Sequence, residues 1–222
     1  WVLKNFLDRD FPNYKSVVAY RERQLNDVEK ILVSPDYAAN FRGAQIFGLA
    51  GESPESEYVA ALESLKKGEV KNLIMVGDRA ILPKDIDATL LSSISKSDNS
   101  IAILASGINS LLGSVKTVIA ERTCLEKAGL MVNRQMRLQY VERLLQAPQG
   151  VLPVWRIINM AAARCGQEIV SAGTDRELTL RYLQSDARFS GLKLSHLKKG
   201  GVLLTDLSES GSLRGQGSTA RI

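Results

Sequence analysis

The stretch Lys-Asn-Leu-Ile-Met-Val-Gly-Asp at residues 71–78 decides the fold of this chain. Its apolar run stops at Gly77, a pattern typical of a strand that is covered on both faces and followed by a turn. Two further apolar runs follow, Ser-Ile-Ala-Ile-Leu-Ala at residues 100–105 and Val-Lys-Thr-Val-Ile-Ala at residues 115–120. The sequence therefore predicts three buried strands in succession.

Helical patterns lie before and between these strands. Ser53 supplies a cap and Pro54 a first helical position, and Gly68 follows the last apolar turn, so a helix is predicted between them. Residues 85–94 place isoleucine and leucine at helical spacing. Because the crossovers contain helical segments, we expect an α/β fold whose parallel sheet has right-handed connections and helices on both faces.

The second half of the chain is predicted to be more helical. Residues 153–165 form a helix that begins near a proline, and Thr174 with Glu177 makes a capping box that opens a helix reaching about Arg188. Residues 136–145 leave two alternatives open. They form either a helix by propensity or an extended stretch followed by a helix.

The ends of the chain set its predicted domain limits. Trp1 is not an initiator methionine, so we expect the chain to begin inside a longer polypeptide. Residues 31–33 predict one more short buried strand. We divide the chain into an α/β domain at residues 1–205 and a flexible tail, rich in glycine and serine, at residues 206–222.

Composition excludes several classes of function. Only two cysteines occur, Cys124 and Cys165, and they lie outside any Cys-x-x-Cys motif, so we expect this chain to hold no metal and no iron–sulfur cluster. The single histidine, His196, lies in a loop-like segment and is expected to be a solvated surface residue. A catalytic triad built on it is not expected.

Charge and hydropathy point to no particular ligand. The 29 basic and 24 acidic residues are interspersed, so a net charge of +5 alone predicts no partner. Aromatic residues are 6% of the chain, which does not favour nucleic-acid binding. Because no window holds 18 uninterrupted apolar residues, we expect no direct membrane insertion.

A ligand site, if one exists, is expected at one edge of the sheet. The phosphate-binding loop, the Rossmann glycine fingerprint and the Gly-x-Ser-x-Gly nucleophile elbow are all missing from the sequence. In open α/β sheets, however, ligands gather beyond the carboxyl ends of the strands. A small-molecule binding module would use the rim formed by residues 77–80, 106–110 and 121–123.

One segment carries a resemblance to a known family. Residues 117–139 read TVIAERTCLEKAGLMVNRQMRLQ. They resemble the segment of molybdopterin oxidoreductases in which a strand is followed by Glu-x-x-Gly-x-x-x-Asn-x-x-x-Arg-x-Gln. In this chain those positions are Glu126, Gly129, Asn133, Arg137 and Gln139.

Other segments extend the resemblance over about residues 28–204. Asn40-Phe-Arg-Gly43-Ala is similar to the family's Asn-x-x-Gly-Ala stretch, and the Pro-Gln-Gly turn that begins at Pro148 is similar to its Pro-x-Gly signature. One departure is informative. Met136 stands where the family has a glycine, so its side chain would crowd the approach to a pyranopterin phosphate, which is what a vestigial site would show.

Within this family, the large iron–sulfur subunit of NADH-quinone oxidoreductase (respiratory complex I, the 75 kDa type) keeps the fold without molybdopterin. The chain resembles the C-terminal, cluster-free part of that large subunit. The resemblance implies a structural domain that supports electron transfer from NADH to quinone while the clusters lie in N-terminal domains of the parent. It also implies other subunits of the peripheral arm as partners, and a peripheral location on the cytoplasmic side of a bacterial inner membrane or on the mitochondrial matrix side.

The resemblance leaves an alternative function open. The chain would then be a fragment of a molybdopterin-dependent oxidoreductase, similar to formate dehydrogenase. Asn133 and Arg137 would help to hold the pterin or its phosphate, with Glu126 as a third candidate. Glu126 and Gly129 have a second interpretation, in which they only fix the loop. Neither interpretation assigns a catalytic residue to this chain.

Overall fold

A computed structural model describes most of the chain. The strand predicted at residues 31–33 lies outside the described residues, and so does the predicted tail from residue 207 onward. The described residues are 2–11, 13–20, 40–77, 80–104, 111–167 and 169–206.

A three-stranded parallel sheet forms the centre of the fold. Its strands are β1 (Asn72–Val76), β2 (Asn99–Leu104) and β3 (Thr117–Ala120), and β2 lies between the other two. All three strands predicted from the apolar runs are present, with boundaries shifted by two residues at most. The predicted α/β class with a parallel sheet is therefore confirmed.

Helices before, between and after the parallel strands cover both faces of the sheet. The first two are α1 (Val2–Asp10) and the short helix α2 (Phe41–Ile46). One face of the sheet is covered by α3 (Pro54–Lys66) and α4 (Ala88–Lys96). Their apolar side chains share a core with Met75, Ala102 and Leu104, which alternate along β1 and β2 toward this face.

The opposite face is covered by α1 and by α5 (Val154–Arg164). Ile103 of β2 is 1% exposed here, and it packs in one core with Val2 and Ile158. Helices thus lie on both faces of the parallel sheet, as the sequence predicts.

The helix predicted over residues 85–94 begins later, at Ala88. Pro83–Asp85 forms a turn of 3-10 helix instead. The carboxylate of Asp87 accepts a hydrogen bond from the N–H of Leu90 at 2.8 Å, so this aspartate caps α4 and sets its first residue.

The predicted capping box opens α6 (Asp175–Ser185). The hydroxyl of Thr174 accepts a hydrogen bond from the N–H of Glu177 at 3.1 Å, as expected. The Glu177 carboxylate accepts from the N–H of Gly173 at 2.6 Å, one residue before the usual capping-box donor. The helix ends at Ser185, three residues before the predicted limit at Arg188.

A second, antiparallel sheet follows the parallel one, in the order β4 (Gly129–Val132), β5 (Arg137–Val141), β6 (Val202–Leu203). This sheet decides between the two alternatives for residues 136–145. The helical alternative is wrong, because β5 alternates buried and less buried side chains as a strand does. The extended stretch of the second alternative is confirmed as β5. Residues 142–153, all of them described, contain no helix, so the helix expected after that stretch is wrong.

The single histidine lies on a short helix near the end of the described chain. His196 belongs to α7 (Leu194–Lys198), which packs on the antiparallel sheet through Leu194 and Leu197. The expected loop-like segment is therefore wrong, while the expected surface exposure of His196 is confirmed.

Asp175 connects the two sheets. Its carboxylate accepts hydrogen bonds from the indole N–H of Trp155 at 2.7 Å and from the backbone N–H of Ala128 at 3.1 Å. The same carboxylate lies 3.9 Å from the Arg122 guanidinium, and the Asp175 side chain is only 12% exposed. It thereby holds together the segment after β3, the start of β4, and helices α5 and α6.

We predict that Asp175→Ala lowers the free energy of unfolding by about 2–4 kcal/mol, because it leaves two N–H donors and a guanidinium without their acceptor. Urea denaturation measures the change. Glu177→Ala is the matched control, because it removes a carboxylate from the same first helical turn together with its bond from the exposed Gly173 N–H, and so accounts for the helix-dipole contribution. Equal losses in the two variants would contradict the role of Asp175.

Candidate functional site

The hairpin between β4 and β5 holds two of the three predicted cofactor-contacting residues, Asn133 and Arg137. The N–H of Asn133 donates to the Arg137 carbonyl at 3.0 Å. The side-chain oxygen of Asn133 accepts hydrogen bonds from the N–H of Gln135 at 3.0 Å and from the N–H of Arg137 at 2.9 Å. Asn133 therefore closes the hairpin loop with its own side chain.

Met136 occupies the position in this loop that favours glycine. Its N–H donates to the Asn133 carbonyl at 3.0 Å, and its φ angle is +59°. A turn followed by one left-handed residue is the usual geometry of three-residue hairpin loops. The backbone thus has the conformation expected where the resembled family has glycine, while the methionine side chain packs partly against the core of the antiparallel sheet.

Arg137 ties the hairpin to the turn before β6. Its guanidinium Nη1 donates to the carbonyl oxygens of Gly200 and Gly201, both at 3.3 Å. Gly201 has a φ of +77°, and a Cβ there would collide with the carbonyl of Leu138 and the stem of Arg137. The close approach of these two segments therefore requires glycine at position 201.

Asn40 belongs to the resembled Asn-x-x-Gly-Ala stretch, and it contacts the β4–β5 hairpin. Its side-chain oxygen accepts a hydrogen bond from the backbone N–H of Val132 at 2.8 Å, although the two residues are 92 positions apart. Val132 immediately precedes Asn133. A Cβ on Gly43 would collide with the Asn40 amide, so the Asn-x-x-Gly spacing has a direct steric reason.

Glu126 fixes the loop before β4. Its carboxylate accepts a hydrogen bond from the Thr123 N–H at 2.8 Å, and its own N–H donates to the Thr123 carbonyl at 3.1 Å. Strand β4 separates this turn from Asn133 by about 13 Å, at roughly 3.3 Å per residue. The structure thus brings Asn133 and Arg137 together and leaves Glu126 at the other end of β4.

The predicted rim is described only in part. Residues 78–79 and 106–110 lie outside the described residues. At the end of β3, the side chain of Glu121 is 4% exposed, and its carboxylate lies 3.3 Å from the ammonium of Lys127. Glu121 and its neighbour Arg122, both in the predicted rim segment, therefore each pair with an opposite charge from another part of the chain.

Sequence analysis did not identify Lys127 as the partner of Glu121, or Asp175 as the partner of Arg122 and Trp155. One signal was present, since a partly buried indole N–H needs an acceptor. The sequence offers many carboxylates, however, and only the fold selects the one at the start of α6.

A separate open depression of about 550 Å³ lies between α1, the end of α2 and the end of α6. Phe47 and Tyr182 pack together at one side, with ring centroids 5.0 Å apart. Burial raises the pKa of Tyr182, and the hydrogen bond from Arg188 lowers the pKa of Asp186. The cations that line the depression, Lys4 and Arg188, each pair with a neighbouring carboxylate, so its charges are balanced.

Three further properties of the described part of the chain concern metal binding, membrane spanning and cysteine pairing. Within it, no three histidine, cysteine, aspartate or glutamate side chains are grouped so that they could hold a metal ion. None of the described helices is long and apolar enough to cross a membrane. Cys124 and Cys165 are both free and exposed.

Comparison with known proteins adds no relative: no protein-family model matches this sequence, and no curated protein matches it. The resemblance to molybdopterin oxidoreductases is therefore carried by the quoted motifs alone. What the structure adds is the set of contacts that the motif residues make.

We predict that Gly43→Ala destabilises the protein by about 1–2 kcal/mol, because the new Cβ displaces the Asn40 amide and leaves the buried N–H of Val132 without its acceptor. The loss is expected even though alanine favours a helix more than glycine does. Gly129→Ala is the control, since a Cβ there meets open space. Equal urea midpoints for the two variants would contradict the steric role of Gly43.

We also predict that Met136→Gly is more stable than Met136→Ala by about 1 kcal/mol. Both variants lose the methionine side chain, and only alanine keeps the cost of the left-handed backbone. The difference between their unfolding free energies isolates that cost. An alanine variant at least as stable as the glycine variant would show that residue 136 does not hold a positive φ in solution.

Proposed function

We propose that this chain is the structural C-terminal domain of the large iron–sulfur subunit of a respiratory NADH-quinone oxidoreductase, with a fold like that of formate dehydrogenase and other molybdopterin oxidoreductases. It supports electron transfer from NADH to quinone by packing against the cluster-bearing domains and neighbouring subunits of the peripheral arm. It lies peripherally, on the cytoplasmic side of a bacterial inner membrane or on the matrix side in mitochondria.

One observation carries this proposal: two of the resembled motif stretches are in direct contact in the fold. Asn40 and Asn133 belong to motif stretches far apart in the sequence, yet Asn40 bonds to the residue that precedes Asn133. Gly43 supplies the space for that bond. Motifs that meet in this way favour a shared ancestral framework over a chance match of spacing.

The contacts of the candidate site favour a structural role over cofactor binding. The Asn133 oxygen is occupied by two backbone N–H groups, and Nη1 of Arg137 is occupied by two carbonyls. Glu126 lies a strand's length away and closes its own turn. Met136 adds a bulky side chain to the loop. These contacts close the loop within the chain, and the proposed function uses no molybdopterin.

The fold is suited to a structural domain that holds neighbouring domains and subunits in place. Helices on both faces exclude water from the parallel sheet, and Asp175 fixes the antiparallel sheet against it. A body of this kind shields neighbouring redox centres from solvent and keeps their spacing constant. Iron–sulfur clusters would be held by other domains of the parent protein, and this chain would contribute position and burial.

The test is to purify the intact parent assembly through a tag on this chain and to measure its metals, pterin and activity. We expect iron–sulfur signals and NADH oxidation with a quinone acceptor, with the other subunits of the peripheral arm co-purifying. Stoichiometric molybdenum or tungsten together with a pterin would overturn the proposal in favour of the molybdopterin-dependent alternative.

Asn133→Ala with Arg137→Ala distinguishes the two functions further. A structural role predicts a lower yield of assembled complex and an unchanged turnover for each assembled complex. A cofactor-holding role predicts normal assembly with lost turnover. Gln135→Ala is the matched control in the same loop, because its side chain is exposed and its backbone N–H is retained.

A further inference from the structure

An exposed apolar cluster lies beside the antiparallel sheet. Leu125, Val141, Leu144 and Leu145 are 46%, 37%, 73% and 53% exposed. The N–H groups of Leu144 and Leu145 both donate to the carbonyl of Leu125 at 2.9 Å, so the turn before β4 and the segment after β5 lie side by side. We name these four residues the leucine cluster. Four exposed apolar side chains on two segments joined by backbone hydrogen bonds form a candidate interaction surface.

The hairpin that carries this cluster at its open end, together with the segment that packs on the hairpin, concentrates the positive charge. Residues 129–143 and 192–205 contain six basic side chains and one carboxylate, a net charge of +5 that equals the net charge of the whole chain. The rest of the chain is therefore neutral overall. The basic residues are Arg134, Arg137, Arg143, Lys193, Lys198 and Lys199.

The fold brings these two distant segments together. Helix α7 packs on β5, and the Arg137 guanidinium bonds to the glycine pair that follows α7. The one carboxylate, Glu142, pairs with Lys198, whose ammonium also lies 5.5 Å from the centre of the Tyr140 ring. The remaining cations are spread along the hairpin and α7, and do not converge on one point, so they suit an extended partner.

We propose that the leucine cluster, at the open end of the β4–β5 hairpin, and the cations along the hairpin and around α7 together dock an acidic, amphipathic segment of a partner polypeptide. Such a segment supplies an apolar face for the leucine cluster and carboxylates for the cations. The proposal does not depend on the respiratory function, because it rests on charge and exposure alone.

Two other polyanions fit the surface less well. A nucleic acid has phosphates but no aliphatic face, and the one phenylalanine, tyrosine or tryptophan of the two basic segments, Tyr140, is 8% exposed and offers no stacking platform. An anionic membrane would meet the carboxylate of Glu142, whose side chain is 56% exposed between Val141 and Arg143. A polypeptide can place a basic residue there.

The experiment measures binding of fluorescein-labelled 20-residue peptides to the full chain by fluorescence anisotropy. The first peptide has leucine on one helical face and glutamate on the other. Two comparison peptides replace leucine with alanine or glutamate with lysine. We expect each replacement to weaken binding at least tenfold, and raised salt to weaken binding of the leucine–glutamate peptide. Equal affinity for the three peptides would overturn the proposal.

Variants locate the binding surface. Arg134→Glu with Arg143→Glu, and separately Leu144→Gln with Leu145→Gln, should each weaken binding of the leucine–glutamate peptide about tenfold. The matched control is Lys96→Glu with Arg164→Glu, which makes the same change in net charge at exposed positions elsewhere. A control that loses as much affinity as the first variant would show that net charge alone attracts the peptide, and would overturn the assigned surface.

Two further probes test the competing partners. A single-stranded 20-nucleotide DNA and vesicles containing about 30% phosphatidylserine replace the peptide. Tighter binding of either than of the leucine–glutamate peptide, lost in the Arg134 and Arg143 variant, would overturn the polypeptide proposal in favour of that partner. Unchanged thermal unfolding of each variant confirms that lost binding does not reflect lost folding.

Discussion

The carboxylate of Asp175 is the constraint on which the relation between the two sheets depends. A carboxylate that is 12% exposed must be compensated by donors, and here the donors come from the indole of Trp155, the backbone before β4 and the guanidinium of Arg122. Each donor belongs to a different segment. The parallel sheet, helix α5 and the antiparallel sheet therefore have one arrangement in which this group is satisfied, and the candidate hairpin is positioned by it.

The parallel half was predictable because its signals are local. Apolar runs marked all three strands of the parallel sheet. The Thr174–Glu177 spacing, also a local signal, marked the start of α6, which packs on the antiparallel sheet. The antiparallel half was not. Strand β4 has four residues and β6 has two, too short for a period to show, and β6 lies about 60 residues beyond its partner β5. Helical propensity in residues 136–145 was overridden by pairing across the sheet.

The candidate site was predictable as a spacing but not as a set of contacts. Asn133 and Arg137 are four residues apart, so a hairpin between them brings them together. Asn40 could not be placed from the sequence, because its bond to Val132 spans 92 positions. The same limit applies to Asp175: a buried indole N–H requires an acceptor, but the chain offers many carboxylates at comparable distance in sequence.

Met136 shows how strongly the hairpin is held. A methionine at a φ of +59° has a backbone cost that glycine would avoid, so the surrounding contacts must outweigh it. Those contacts are present: the Asn133 oxygen holds the loop from inside, and the Met136 carbonyl accepts the N–H of Leu204 at 2.9 Å. A loop whose polar groups are committed in this way cannot rearrange around a bound phosphate without losing them. The hairpin loop therefore closes through contacts within the chain alone, and its shape is set by Asn133, Met136 and Leu204.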